Sequence, residues 1–204
     1  MRIPAARHAD RPWRIHDLAR DFRVEDVWAL PTPGGPDDFP LLVEAVAEGD
    51  PSQSGSRASR ALWALRWKLG EVFGWDDPDS GLGARVPTLR GRLPGDLRGS
   101  ADGVDFSALP FTPLYLTHEE FAAEIANRTV HGVMHLGWVE GDDGRHHGEM
   151  AVYVKPNGAF GRAYMAAIRP FRLLLIYPAA MRQIERRWSA AKRAPAPGDT
   201  APLE

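Results

Sequence analysis

Three consecutive runs, VHGVMHLGWV (residues 130–139), GDDG (141–144) and GEMAVYVK (148–155), decide the fold class. In the first, Val130, Met134, Leu136 and Trp138 alternate with His131, Val133, His135 and Val139, the period of two that a β-strand requires. In the third, Met150, Val152 and Val154 alternate with Glu149, Tyr153 and Lys155. The Gly-Asp-Asp-Gly run between them supplies turn chemistry, so the two runs predict an antiparallel hairpin.

Upstream of the hairpin, FTPLYL (111–116) reads as a strand. Thr117 and Glu120 then carry the spacing of a capping box, which predicts a helical turn through Phe121 and Ile125 to near Asn127. DFRVEDVWAL (21–30) is β-rich and ends at Pro31, an opening strand. Asp37 and Asp38 precede Leu41, Leu42, Val43 and Val46, predicting a short helix to about Glu48. SRASRALWALRWKLGEVF (56–73) places Leu62, Leu65, Leu69, Val72 and Phe73 at helical spacing, and Trp63 and Trp67 widen its buried face. Residues 76–110 are rich in Gly, Pro and Asp and are expected to form a long loop or lid; Arg85, Arg90, Arg92 and Arg98 give it an exposed basic character.

Downstream, residues 160–188 carry Tyr164, Ile168, Phe171, Leu175 and Met181 about one turn apart, with Pro170 and Pro178 expected to kink or segment the helix. The sum is an α+β fold, an antiparallel sheet with a long, Pro-segmented C-terminal helix. It is organised as an N-terminal arm (1–20), one domain (21–192) and a loose tail (193–204).

At 204 residues, with 44% hydrophobic and 25% charged residues, the chain has the composition of one ordinary globular domain. Its 25 basic and 27 acidic residues nearly cancel, so no field favours nucleic acid. The absence of cysteine excludes disulfides and thiolate chemistry. Residues 1–13 lack the apolar core of a secretory signal, and the apolar stretch 164–181 is interrupted by Arg169, Pro170, Arg172 and Pro178, so membrane insertion is not expected and a cytoplasmic location is.

TVHGVMHLGW (129–138), with MAVYVKPNGAFGRAYMAAIRPF and LLIYPAAMRQIERRW after it, resembles the Domain of Unknown Function 2867 family. The resemblance spans about residues 20–190 and is strongest after residue 111. It implies kinship with the START and birch-pollen-allergen-like helix-grip superfamily, in which an antiparallel sheet wraps a long C-terminal helix around an apolar cavity. On that reading the protein binds a small apolar molecule between sheet and helix, with His131, His135, Trp138, Tyr153 and Tyr164 lining the site.

His131 and His135 share a strand face about 13 Å apart, too far for one metal ion, and no glutamate completes a metalloprotease motif. His146 and His147 are read as turn residues. No metal and no cofactor is expected. A second reading is a cyclase, dehydratase or isomerase in which His131 or His135 moves a proton, assisted by Glu124 or Tyr153. A third is a noncatalytic protein that docks through its C-terminal helix, and a homodimer stays open.

Overall fold

The computed structural model describes residues 1–49, 82, 86–106, 109–127 and 129–193. The helix expected over residues 56–73 lies outside them, as do Arg85 and most of the first part of the expected 76–110 loop.

Two short helices open the chain, α1 (Ala5–Ala9) and α2 (Ile15–Leu18), followed by strand β1 (Arg23–Ala29) and, after a 3-10 turn at Pro36–Asp38, helix α3 (Phe39–Ala47). Two more 3-10 turns, Leu89–Arg92 and Gly95–Leu97, precede β2 (Thr112–Leu116), β3 (Glu120–Ala126), β4 (Val130–Glu140) and β5 (His146–Pro156). The C-terminal helix runs as α4 (Gly158–Phe171), a π-helical stretch (Arg172–Ile176) and α5 (Tyr177–Ala191). The five strands form one antiparallel sheet in the order β1-β5-β4-β3-β2. The α+β class and the long C-terminal helix are therefore as the sequence predicts, and β4 and β5 pair in one unbroken register from Val130↔Pro156 to Glu140↔His146.

Two local expectations are corrected and one is met. Residues 120–126 form β3 rather than a helical turn: Thr117 Oγ1 accepts from the Glu120 amide at 2.9 Å, but Thr117 N also donates to Glu120 O at 2.7 Å, which closes the β2–β3 hairpin. The hydroxyl bond that caps a helix serves a tight turn equally well, and pairing with β4 decides between them. His146 and His147 belong to β5 and are half-buried, not exposed in a turn. Pro170 and Pro178 segment the C-terminal helix, as expected. Each lacks the amide hydrogen for an i−4 bond, and the chain widens into a π stretch between them and continues.

Both faces of the sheet are covered. On one, Phe121, Met134, Leu136, Trp138 and Met150 pack against Phe39, Leu42 and Val46 of α3 and Tyr177, Ile184 and Trp188 of α5 in a single core cluster. On the other, Val27, Tyr115, Ala122, Val133, Ala151 and Tyr153 meet Trp13, Ile15 and Leu18 from the N-terminal segment and Leu89, Leu93 and Leu97 from the 3-10 turns. Residues 1–20, expected as an arm, thus supply one wall of the second core, and the described part of the expected loop supplies another. The fit is close: a Cβ at Gly137 would lie 2.8 Å from the Trp13 ring.

The C-terminal helix is fastened to β1 by charge. A β-bulge between Val24 and Asp26 breaks the alternation, so that Val24 packs with one core while Glu25 and Asp26 both reach the helix on the other side. Arg172, in the π stretch, donates Nη2 to Glu25 Oε1 and Asp26 Oδ2, each at 3.0 Å, and Tyr177 OH donates to Asp26 at 3.2 Å. Asp26 and Arg172 are both buried. Losing Arg172 leaves buried Asp26 with only the half-exposed Arg2 at 3.3 Å and the Tyr177 hydroxyl, so Arg172→Met is expected to lower unfolding free energy by about 3 kcal/mol, the low end for a broken buried pair, and adding Asp26→Asn should restore part of that in a denaturant double-mutant cycle.

Candidate functional site

Strand alternation and the bulge divide the sequence-predicted residues between two sides. His131, His135 and Tyr153 point to the N-terminal side of the sheet and are buried there. Trp138 points to the opposite side, packs near Phe39 and Trp188, and donates Nε1–H to the Gly35 carbonyl at 3.0 Å. Tyr164 is half-buried on α4. These five side chains do not line one cavity, and between the sheet and α5 the layer is side-chain core.

What His131, His135 and Tyr153 do join is a layer of buried ionisable groups. Glu120, Glu124 and Glu149 all face the same side and are at most 5% exposed. Glu124 accepts from His131 Nε2 at 2.8 Å, from Leu89 N at 3.1 Å and from the Thr88 hydroxyl, and so holds the first 3-10 turn to the sheet. Glu120 accepts from Arg14 N at 3.0 and 2.9 Å, from Tyr115 OH at 3.0 Å and from His135 Nε2 at 3.2 Å, and so holds the start of α2. Glu149 accepts from His8 Nδ1. Each carboxylate has found protein hydrogens, the condition for burying a charge at tolerable cost.

The directions of ionisation follow. Burial pushes the Glu120 carboxyl up, but the His135 and Arg14 hydrogen bonds outweigh it and hold Glu120 below its ordinary value. Burial likewise pushes Glu149 up, and its bond to and charge interaction with His8 bring it below the ordinary value. Burial pushes His135 down more than Glu120 raises it. A neutral His135 giving its one N–H to Glu120 agrees with Nδ1 being buried without a partner, since an imidazolium would strand a second N–H there. Tyr115 and Tyr153 are raised by burial and by the carboxylates, so both remain hydroxyl donors.

Sequence reasoning missed His8, His16, Glu120 and Glu149. Residues 1–20 read as an arm, and Glu120 as a helix-capping residue. For Glu149 a signal was available: with the hairpin in register, Glu149 opposes Gly137 and Tyr153 opposes Val133, on the His131 and His135 face. Among the described residues, no group of three or more His, Asp and Glu could hold a metal ion, and no helix is long and apolar enough to cross a membrane. Arg90, Arg92 and Arg98, read as an exposed basic loop, are each engaged: Arg92 Nη1 donates to Asp21 at 2.5 Å, Arg90 to the Pro113 carbonyl at 3.0 Å and Arg98 to the Leu93 carbonyl at 3.0 Å.

A cleft opens elsewhere, between β1 and α4. Its volume is about 400 Å³ and it is lined by Arg23, Val24, Glu25, Arg162, Ala166 and Arg169. Arg162, Ala166 and Arg169 are four and three apart on α4 and so share one helix face, where the small Ala166 leaves room between two long side chains. Close contact sets the helix in place: a Cβ at Gly161 would collide with the Thr129 carbonyl. Glu25 answers Arg23 at 2.7 Å and Arg172 at 3.0 Å; burial pushes its carboxyl up, and these two arginines draw it below the ordinary value. Arg162 and Arg169 have no ion pair with any described residue.

The buried layer makes stability depend on acid. A lowered folded-state pKa means the unfolded chain binds more protons, so each such group contributes stability above its unfolded value and loses it as pH falls through the folded one. For His135 that loss begins below its ordinary value of 6.5, and for Glu120 and Glu149 below 4.5. Melting temperature is therefore expected to fall in two stages as pH drops. His147, lowered from 6.5 by burial as well, shares the first stage, so His135→Gln, which keeps a hydrogen for Glu120, should shrink that stage and leave the second; differential scanning calorimetry across the range checks this.

No curated protein and no solved structure shows significant similarity to the chain. A family model described as "Protein of unknown function (DUF2867)" matches residues 18–179, which span β1 through the first residues of α5 and so include the sheet, the ionisable layer and the cleft; the chain belongs to this family.

Proposed function

We propose that this protein binds a small anionic molecule, one bearing a carboxylate or phosphate, in the cleft between β1 and α4. The reading keeps the helix-grip expectation of a ligand held between sheet and C-terminal helix. It moves the seat to the first half of that helix and changes the ligand from apolar to charged. The supporting observation is the arginine surplus. Three guanidinium groups border about 400 Å³, Glu25 is the one carboxylate among the lining residues, and Arg162 and Arg169 have no ion pair with any described residue. Guanidinium groups set in this way match the planar fork of a carboxylate or two oxygens of a phosphate. The volume suits a metabolite-sized ligand, since pockets for such molecules start at roughly 300 Å³.

The same reading places the START-like kinship and a cytoplasmic setting with the proposal. The enzymatic alternative is less well supported, because His131 and His135 are 3% and 0% exposed and both are committed to carboxylates.

Isothermal titration with carboxylates, phosphate monoesters and their uncharged amide or alcohol counterparts tests the idea. Anions should bind and their neutral counterparts should not, with affinity falling as salt rises. Replacing Arg162 and Arg169 together with alanine should weaken binding by about 10–100-fold, the range expected from losing charge-assisted hydrogen bonds. Ala166→Leu, which fills the gap between them, should weaken it without changing net charge. Binding that ignores all three substitutions would place the ligand elsewhere.

A further inference from the structure

Four hydrogen-bonded contacts link the N-terminal segment to β5. Glu149 meets His8 Nδ1; His8 Nε2 meets Tyr153 OH at 2.7 Å; Tyr153 OH meets His16 Nδ1 at 3.1 Å; and His16 Nε2 meets the His8 carbonyl at 3.3 Å. Each contact consumes one hydrogen. Two neutral imidazoles and one phenol supply three, and a carbonyl and an ionised carboxylate supply none, so the four contacts are one hydrogen short.

From this count we infer that His8, Tyr153 and His16 form a proton relay that holds one shared extra proton, and that this proton fastens residues 1–18 to the sheet. Two arrangements satisfy all four contacts. In one, His8 is the imidazolium: it donates to Glu149 and to the Tyr153 oxygen, Tyr153 donates to His16 Nδ1, and His16 donates to the His8 carbonyl. In the other, the His8 Nε2–H bond has broken and an O–H bond has formed on Tyr153. The former Tyr153 hydrogen is then bonded to His16 Nδ1, and the positive charge has moved from His8 to His16. No heavy atom need move. His8 is wholly buried while His16 is half-buried, so the relay joins an interior carboxylate to the surface.

The surroundings favour a positive charge on this path. Glu149 lies at its inner end, and Glu120 acts on Tyr153 from β3. Opposing it are Arg11, which acts on Glu149 from the N-terminal segment, and His135 of β4, whose ring centre is 5.3 Å from that of His8. His147 also acts within reach of Glu149 from β5. Burial keeps His135 neutral, which removes the closest competitor. Trp13 packs near both His8 and His135 and adds no charge.

Losing the shared proton should cost one of the four contacts and loosen the segment. The experiment is amide hydrogen exchange of residues 5–18 in the full chain at about pH 6.5 and about pH 8.5, corrected for intrinsic rates, together with imidazole nitrogen NMR across the same span. In the unmodified protein, protection should drop about tenfold toward the higher pH, and the His8 and His16 nitrogens should shift together. His16→Gln brings an amide with two hydrogens, which completes the count without a proton, so its protection should stay flat. Tyr153→Phe should let the two imidazoles titrate separately. If Tyr153→Phe does not fold, His16→Gln and the NMR of the unmodified chain decide the matter. Flat protection in the unmodified protein, an equal drop in His16→Gln, or histidines that titrate independently would each overturn the relay.

Discussion

A carboxylate removed from water must find its hydrogens inside the protein, and in this chain the sheet presents Glu120, Glu124 and Glu149 on one face. Much of the architecture on that side answers the demand. The chain start supplies the Arg14 amide and His8, the turn at Leu89 supplies its own amide and Thr88, and β4 supplies both imidazoles. Leu18, Leu89 and Leu93 provide the apolar attraction that brings these segments in, but attraction of that kind is without direction. The carboxylates decide where each segment stops.

The opposite face follows another logic. Its contact with α3 and α5 is apolar and filled, and charge enters only at the edge, where the β1 bulge turns Glu25 and Asp26 toward Arg172. That edge is also where the helix stands off enough to leave space. The bulge, the π stretch and the cleft are therefore neighbours for a reason: an extra residue in the strand and a widened turn in the helix meet where Arg172 pairs with Glu25 and Asp26, and regular packing is suspended beside them.

The strands with clean alternation, β4 and β5, and the helix pattern after Phe160 were legible because period alone encodes them. β3 was not, since Phe121, Ala122 and Ala123 are all buried between two covered faces and show no alternation to read. The site was legible in part. His131, His135 and Tyr153 stood out as polar residues in apolar strands, yet the Tyr153 partners His8 and His16 lie 145 and 137 residues away, and Glu120, the partner of His135, is itself held by the Arg14 backbone amide, which no residue type reveals. The cleft depends on a bulge at Glu25 and a small residue at Ala166, features of register and volume that one sequence does not display.

The strand order carries a consequence for how the molecule is assembled. β2 through β5 form a meander of adjacent hairpins, each closing a short span, whereas β1 reaches its place only by pairing Val27 with Ala151 across most of the chain. Closing so large a span costs more chain entropy than closing any one of the hairpins. Arg23, Val24 and Glu25 belong to that strand, so the recess beside α4 is walled by the chain's longest-range strand pairing and depends on it.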